Sequence, residues 1–207
     1  MSPPAQYDLV VPVKTLSRAK SRLQGFTDVV RRDLMRAFAM DALTASLASP
    51  MVSAVHVVTD EPDLAASVLR LGCSVLPDSG AGDLNRALRS AVASLAGRPG
   101  TGPVAAMLGD LPCLVTDDLT EALAAIVGAG FVADAAAAGT TLLAVWERTR
   151  FDPRFGETSR ANHLAAGFAE VPLGVRTLRL DVDTAEDLVE AVNVGVGAHT
   201  RAVLDRS

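Results

Sequence analysis

The chain has 207 residues, 49% of them hydrophobic, enough for one domain of ordinary size with a buried core and no need of a second. Its formal net charge of -5 argues against a general nucleic-acid or anionic-membrane binder, which needs a basic surface to neutralise phosphates. Cys73 and Cys113 are the only cysteines and lack CxxC spacing, so neither a disulfide framework nor a zinc site is indicated. With no apolar stretch of about 18 residues and no signal-peptide h-region, a soluble cytoplasmic protein is expected.

Apolar, β-branched runs alternate with helical periodicity, the pattern of helices covering a largely parallel sheet. Tyr7 to Val13 is the first predicted strand, and a basic turn follows it. Leu34, Met35, Phe38, Ala42 and Ala45 share one side of a helix that stops near Pro50. Val55 to Val58 is the second strand. Pro62 suits the first turn of a helix carrying Leu64, Val68 and Leu71, closed by Gly72. Cys73 to Leu76 is a short strand, and the loop Pro77 to Gly82 leads into a helix from Asp83 to Ala96. After a Gly/Pro-rich turn, Val104 to Leu108 reads as the most buried strand.

Thr116, Asp117 and Asp118 signal a helix start, with acidic groups facing the positive helix end. That helix runs to about Val127. Gly128 to Gly139 is Ala-rich and has no clear reading, whereas Thr140 to Trp146 is a strand. Arg154 to Ser159 is a loop, Arg160 to Ala169 a helix and Val175 to Leu180 a last strand. Thr184 with Asp187 is a capping box for the final helix. No internal repeat is apparent.

Three segments carry chemistry. Asp110 follows one apolar run, and Asp181 with Asp183 follows another. Residues two apart in a strand point the same way, so Asp181 and Asp183 project together if the strand persists through Val182. With Asp110 they make a carboxylate half-shell for a hard cation such as magnesium. Ligands of open α/β folds gather at the carboxyl ends of strands. Lys14, Arg18, Lys20 and Arg22 follow the first strand and supply cations for a triphosphate. Each segment also has a structural reading: Asp183 or Thr184 as a helix cap, Asp110 in a turn before Pro112, the basic residues as a solvated helix face. A Gly-rich P-loop is absent, which disfavours P-loop kinases and ATPases.

Val11-Pro-Val-Lys14 with Ala19-Lys-Ser-Arg-Leu23, Asp83-Leu-Asn-Arg-Ala-Leu88, Gly109-Asp-Leu-Pro112, Phe155-Gly-Glu-Thr-Ser159 with His163, and Asp181-Val-Asp-Thr184 occur in this order. Together they resemble the 2-phospho-L-lactate and phosphoenolpyruvate guanylyltransferase family of coenzyme F(420) biosynthesis, over nearly the whole chain. The resemblance implies a single nucleotidyltransferase domain, residues 1–207, of the glycosyltransferase-A-like, Rossmann-like three-layer α/β type with a mostly parallel sheet. It also implies transfer of GMP from GTP to a phosphorylated three-carbon acid. For the bacterial members this acid is phosphoenolpyruvate, giving enolpyruvyl-diphospho-guanosine and pyrophosphate.

Carried onto matching positions, the resemblance assigns magnesium to Asp110, Asp181 and Asp183, phosphate contacts to Lys14, Arg18, Lys20 and Arg22, and the acceptor to Thr141, Gly156 and Ser159. Gly82, Leu84 and Asn85 would lie along guanine and ribose. Backbone amide and hydroxyl donors, with a helix start after Ser159, suit a small anion; Ser159 and Asn85 also read as helix caps. The family's Gly-Thr-Gly-Thr turn is here Ala136-Ala-Ala-Gly-Thr-Thr141, so Thr140 and Thr141 both stand as candidates. 2-Phospho-L-lactate and 3-phosphoglycerate remain alternative acceptors, and a non-catalytic nucleotide-binding protein of the same fold is the alternative class. The oligomeric state, and an enzyme that takes up the product, are left open.

Overall fold

The computed structural model of the chain describes residues 6–13, 23, 25–95, 102–172 and 174–206. Lys14, Arg18, Lys20 and Arg22, the expected phosphate-facing cations, lie outside the described residues.

Four β-branched or small apolar runs form strands β1 (Tyr7–Pro12), β2 (Val52–Val58), β3 (Ser74–Leu76) and β4 (Val104–Met107). They pair in parallel in the order β3-β2-β1-β4. Parallel neighbours need long crossovers, supplied here by α1 (Asp28–Leu47), α2 (Pro62–Leu71) and α3 (Leu84–Ser94). The chain continues through α4 (Thr116–Ala125), β5 (Ala129–Ala133), β6 (Thr140–Val145), α5 (Ser159–Ala165) and β7 (Ala169–Glu170). These complete a seven-stranded sheet of order β3-β2-β1-β4-β6-β5-β7. Among the described strands only β6 runs against the rest, antiparallel to both β4 and β5. Helices α6 (Arg176–Arg179), α7 (Ala185–Val194) and α8 (Ala198–Leu204) follow.

The period of two along β1 sends side chains into two separate cores. Leu9 and Val11 pack with Ala42 and Leu43 of α1 and Leu119 of α4, while Val10 packs with Leu88 and Val92 of α3. Both faces are therefore covered, which is why the strand reads as a continuous apolar run from Leu9 onward. The result is the three-layer α/β arrangement expected from the sequence. A third apolar cluster joins Leu34 and Phe38 of α1 to Leu188 of α7 and Val203 of α8.

Four local expectations are corrected. Val175 to Leu180 is not a strand but contains the helical turn α6; Val175 and Leu178 are both buried, three residues apart, a helical spacing. Asp118 holds that turn, accepting from the Thr177 amide at 2.8 Å and the Thr177 hydroxyl at 2.7 Å. The helix after Ser159 ends at Ala165, short of Ala169, where the Phe168 amide turns back to the His163 carbonyl. Thr116 opens α4 without capping it: the N-cap position is Val115, and the Thr116 hydroxyl donates to the Ala45 carbonyl. The helix capped by Thr184 is not the last: α8 follows, its His199 and Thr200 amides each donating at 2.9 Å to the buried Asp41 of α1. The Ala-rich stretch without a clear reading holds β5 and the turn into β6.

Candidate active site

A cavity of about 490 Å³ opens at the carboxyl ends of the parallel strands. Pro12 and Val13 after β1, Leu108 to Asp110 after β4 and Asp134 after β5 line it. Because β6 is reversed, it presents its amino end, Gly139 and Thr140, at the same edge. The wall is completed by Leu84 of α3, by Phe155, Gly156, Glu157 and Ser159 between β6 and α5, and by Asp181 and Asp183 before α7. The site thus lies where open α/β sheets bind ligands.

Asp110 reaches the cavity over a close approach of backbone. A Cβ on Gly109 would lie 3.2 Å from Val13 Cγ2 and 3.4 Å from Val11 Cγ1, so the turn after β4 passes tightly over the end of β1. Asp181 and Asp183 do not project from a strand as expected. Their segment is irregular, yet Val182 is fully buried while both flanking carboxylates line the cavity. The Val182 amide donates to the Asp110 carbonyl at 3.0 Å, which brings the two acidic motifs together. The capping reading holds as well: Thr184 Oγ1 accepts from the Asp187 amide at 3.1 Å, and Asp187 accepts from the amides of Asp183 at 3.0 Å and Thr184 at 2.8 Å. Capping fixes the backbone of Asp183 and leaves its side chain on the cavity wall.

Asp110, Asp134, Glu157, Asp181 and Asp183 make the cavity acidic, and among the described residues no Lys, Arg or His lines it. Asp134 binds its own turn, accepting from the amides of Ala138 at 2.9 Å and Gly139 at 2.7 Å. Among the described residues no three His, Cys, Asp or Glu side chains are gathered into a metal-binding cluster. A hard cation such as magnesium needs only one or two carboxylates when phosphate oxygens and water fill the other positions. The donor chemistry of Asp110, Asp181 and Asp183 fits a cation that arrives with a phosphorylated ligand.

The opposite wall is built of hydroxyls and backbone. Between β5 and β6 the register shifts, pairing Ala133 with Thr140 and Val132 with Leu142, so Thr141 is passed over. Thr140 lines the cavity; Thr141 does not line it, although its carbonyl accepts from the Leu108 amide at 2.9 Å. Thr141 Oγ1 and Ser159 Oγ are buried without a hydrogen-bond partner among the described residues. Ser159 therefore does not act as a side-chain cap. Gly156 has φ +147, a backbone conformation that side chains rarely adopt.

Of the expected base-contacting residues, Leu84 lines the cavity, while Gly82 and Asn85 do not. Asp83, and not Asn85, caps α3, accepting from the amides of Asn85 and Arg86. The Asn85 amide is paired with the backbone of Phe155, donating to its carbonyl at 2.9 Å and accepting from its amide at 2.8 Å. It ties the Gly156 loop to α3. Asp134 and Glu157 were not among the residues expected at the site. An Asp five residues before a Gly was the one signal for the Asp134 turn, and Glu157 was marked only by its place in the Phe155 to Ser159 motif.

Comparison with known proteins agrees with this geometry. The family model described as "Guanylyl transferase CofC like" matches residues 7–206. A Streptomyces avermitilis phosphoenolpyruvate guanylyltransferase is 46% identical, covering 97% of this chain and 95% of its own length. The Streptomyces coelicolor phosphoenolpyruvate guanylyltransferase is 44% identical, with 97% of each chain covered. Among solved structures, a Desulfovibrio desulfuricans protein described as a nucleotide-diphospho-sugar transferase superposes with a TM-score of 0.71 at 19% identity, covering 98% of this chain and 95% of that one. A 4-diphosphocytidyl-2C-methyl-D-erythritol synthase from Anaerococcus prevotii superposes at 0.60 with 9% identity, covering 90% of this chain and 94% of that one; both likenesses concern the fold. With a family model spanning the domain and full-length relatives above 40% identity, the chain belongs to the CofC-like guanylyl transferase family.

Proposed function

We propose that the protein transfers GMP from GTP to phosphoenolpyruvate, releasing pyrophosphate and forming enolpyruvyl-diphospho-guanosine for coenzyme F(420) biosynthesis. The observation that carries this is the meeting, around one cavity, of the carboxylates Asp110, Asp181 and Asp183 with the hydroxyl and backbone wall of Thr140, Gly156 and Ser159. A nucleotidyl transfer between two anions needs both: a way to neutralise phosphate charge and a donor-rich pocket for the acceptor. The names of full-length relatives, phosphoenolpyruvate guanylyltransferase, support this choice of substrates.

In this reading an acceptor phosphate oxygen attacks the α-phosphorus of GTP in line with the leaving pyrophosphate. The protein contributes positioning and charge neutralisation without a covalent intermediate. A phosphate monoester is largely ionised at neutral pH, so no side chain has to remove a proton. Asp110, Asp181 and Asp183 would hold magnesium, which when bound would offset charge on the triphosphate. Lys14, Arg18, Lys20 and Arg22 would supply the cations for the triphosphate. Leu84 lies against the nucleoside, with the Gly82 turn beside it, and Asn85 supports the acceptor loop from behind. Thr140 and Ser159, which line the cavity, offer hydroxyls, and Gly156 its backbone amide, to the acceptor, with Thr141 behind the wall.

The test is pyrophosphate release from GTP and magnesium with phosphoenolpyruvate, 2-phospho-L-lactate, 3-phosphoglycerate or no acceptor, with mass analysis of the nucleotide product. Release with phosphoenolpyruvate alone is expected. Release with phospholactate alone would keep the mechanism and move the substrate; no release with any acceptor would overturn the reading. Asp110→Asn and Asp183→Asn should each abolish turnover with the fold intact by circular dichroism, and full activity in either would remove it from the metal site.

A further inference from the structure

His163 has no exposed surface and sits among Phe131, Phe155 and Phe168, with ring centroids 5.4, 5.6 and 5.6 Å away. Both of its nitrogens are engaged. Nε2 lies 3.0 Å from the Arg154 amide nitrogen, which can only donate, so Nε2 carries a lone pair. Nδ1 lies 3.0 Å from Thr140 Oγ1. A neutral imidazole that accepts at Nε2 holds its proton on Nδ1, which faces Thr140 Oγ1 with the Ser159 carbonyl also in reach, so Thr140 Oγ1 cannot donate to the ring. The hydroxyl proton of Thr140 is then left to be donated elsewhere. Thr140 lines the cavity, and no protein acceptor takes that proton among the described residues.

We propose that His163 is a positioning residue of the acceptor pocket. Through Nδ1–H it turns the Thr140 hydroxyl into a proton donor toward an anionic acceptor group, and through Nε2 it holds the Arg154 end of the loop that carries Gly156. Two further observations point the same way. Ser159, one helical turn before His163, presents a second buried hydroxyl without a protein partner, and it too lines the cavity. The imidazole is also held neutral: burial, then the nearby Arg154, push its pKa down to about 4, against smaller opposing effects of Asp152 and the Ser159 carbonyl. A protonated ring would face the Arg154 amide with a second donor.

The class of ligand is a small carboxylate or phosphate, for which neutral hydroxyl donors are suited because they bind an anion without a competing counter-ion. This rests on the proposed reaction for the identity of that anion, but the tautomer does not. Two measurements separate them. In the full-length protein labelled with nitrogen-15, the His163 ring signals, assigned by their loss in His163→Gln, should report a neutral ring protonated at Nδ1 near pH 7. A proton at Nε2, or a charged ring, would overturn the proposal whatever the substrate.

The second measurement is steady-state kinetics with the acceptor that wild type uses. His163→Phe, which suits an aromatic cage, and Thr140→Val should each raise the acceptor KM about tenfold or more, as loss of a hydrogen bond to a charged group does, with the KM for GTP little changed. Because His163 acts through Thr140, the double variant should be no worse than the poorer single one. Thr140→Ser, which keeps the hydroxyl, and His163→Gln, which keeps one donor and one acceptor, should retain most of the acceptor affinity. Additive losses in the double variant, or equal rises in both KM values, would show a merely structural role and overturn the proposal. Should His163→Phe fail to fold, Thr140→Val against Thr140→Ser decides with the nitrogen signals. Absence of turnover in wild type with any acceptor would count against the proposed reaction and leave the tautomer result standing.

Discussion

Gly156 and His163 illustrate how single residues divide the work of the pocket. Gly156 has φ +147 and no atom within 4 Å of where a Cβ would stand, so Gly156→Ala adds no clash, only backbone strain. Strain at such a position costs roughly 1–3 kcal/mol, and it falls on a cavity-lining loop. The variant should therefore lose acceptor affinity more than GTP affinity, which separate KM titrations would show. His163 leads to a pH prediction. Its folded-state pKa, about 4, lies below the ordinary 6.5, chiefly through burial. The unfolded chain then binds more protons between these values, and stability rises with pH across that window. Its contribution is complete above about pH 6.5 and is lost as pH falls toward 4, on the order of 3 kcal/mol in all. Chemical denaturation at pH 7 and pH 4.5 should show a drop that is smaller in a folded His163→Phe variant. Asp110, Asp181 and Asp183 were legible in the sequence because each follows an apolar run. Asp134 and Glu157 were not, since a lone acid in a loop looks the same whether or not a distant strand brings it to a cavity.

At the scale of elements, the turn before α7 does two things at once. Asp187 accepts from the amides of Asp183 and Thr184, so the helix cap also sets the backbone that carries a proposed metal ligand. Asp187→Ala should cost about 0.5–2 kcal/mol of stability, the usual loss for a helix cap, and in addition raise the magnesium concentration needed for half-maximal rate. A thermal melt with a magnesium titration tests both parts, and an unchanged metal requirement would limit Asp187 to capping. The capping box could be read from Thr184 and Asp187 because the interaction is local. The α6 turn could not: Val175 to Leu180 is apolar enough for a strand, and its conformation depends on Asp118, a residue of α4 distant in sequence. β5 was missed for a related reason: Phe131 and Val132 sit in an Ala/Gly-rich stretch that becomes a strand only by pairing with β6 and β7.

Across the whole molecule, the cavity and a half-buried ion pair lie at opposite ends of the sheet. At the amino end of β1, Asp8 pairs with Arg148, and the two side chains are only 18% and 14% exposed. His56 Nε2 approaches the same carboxylate at 3.4 Å. Removing one partner of such a half-buried pair costs about 1–3 kcal/mol, between the surface and fully buried limits. For a domain of this size that is several degrees of Tm, at about 2–4 °C per kcal/mol. Arg148→Met should accordingly melt earlier while kcat and both KM values stay near wild type; a parallel loss of activity would mean that the two ends of the sheet are coupled.

The order β3-β2-β1-β4-β6-β5-β7 divides the chain at a seam between β4 and β6: residues 7–107 supply the strands on one side and residues 129–170 those on the other. Thr140, Gly156, Ser159 and His163 all come from the second block. On the proposed reading, a lineage can revise its acceptor by changing one contiguous stretch of gene while leaving the strands of the first block unaltered.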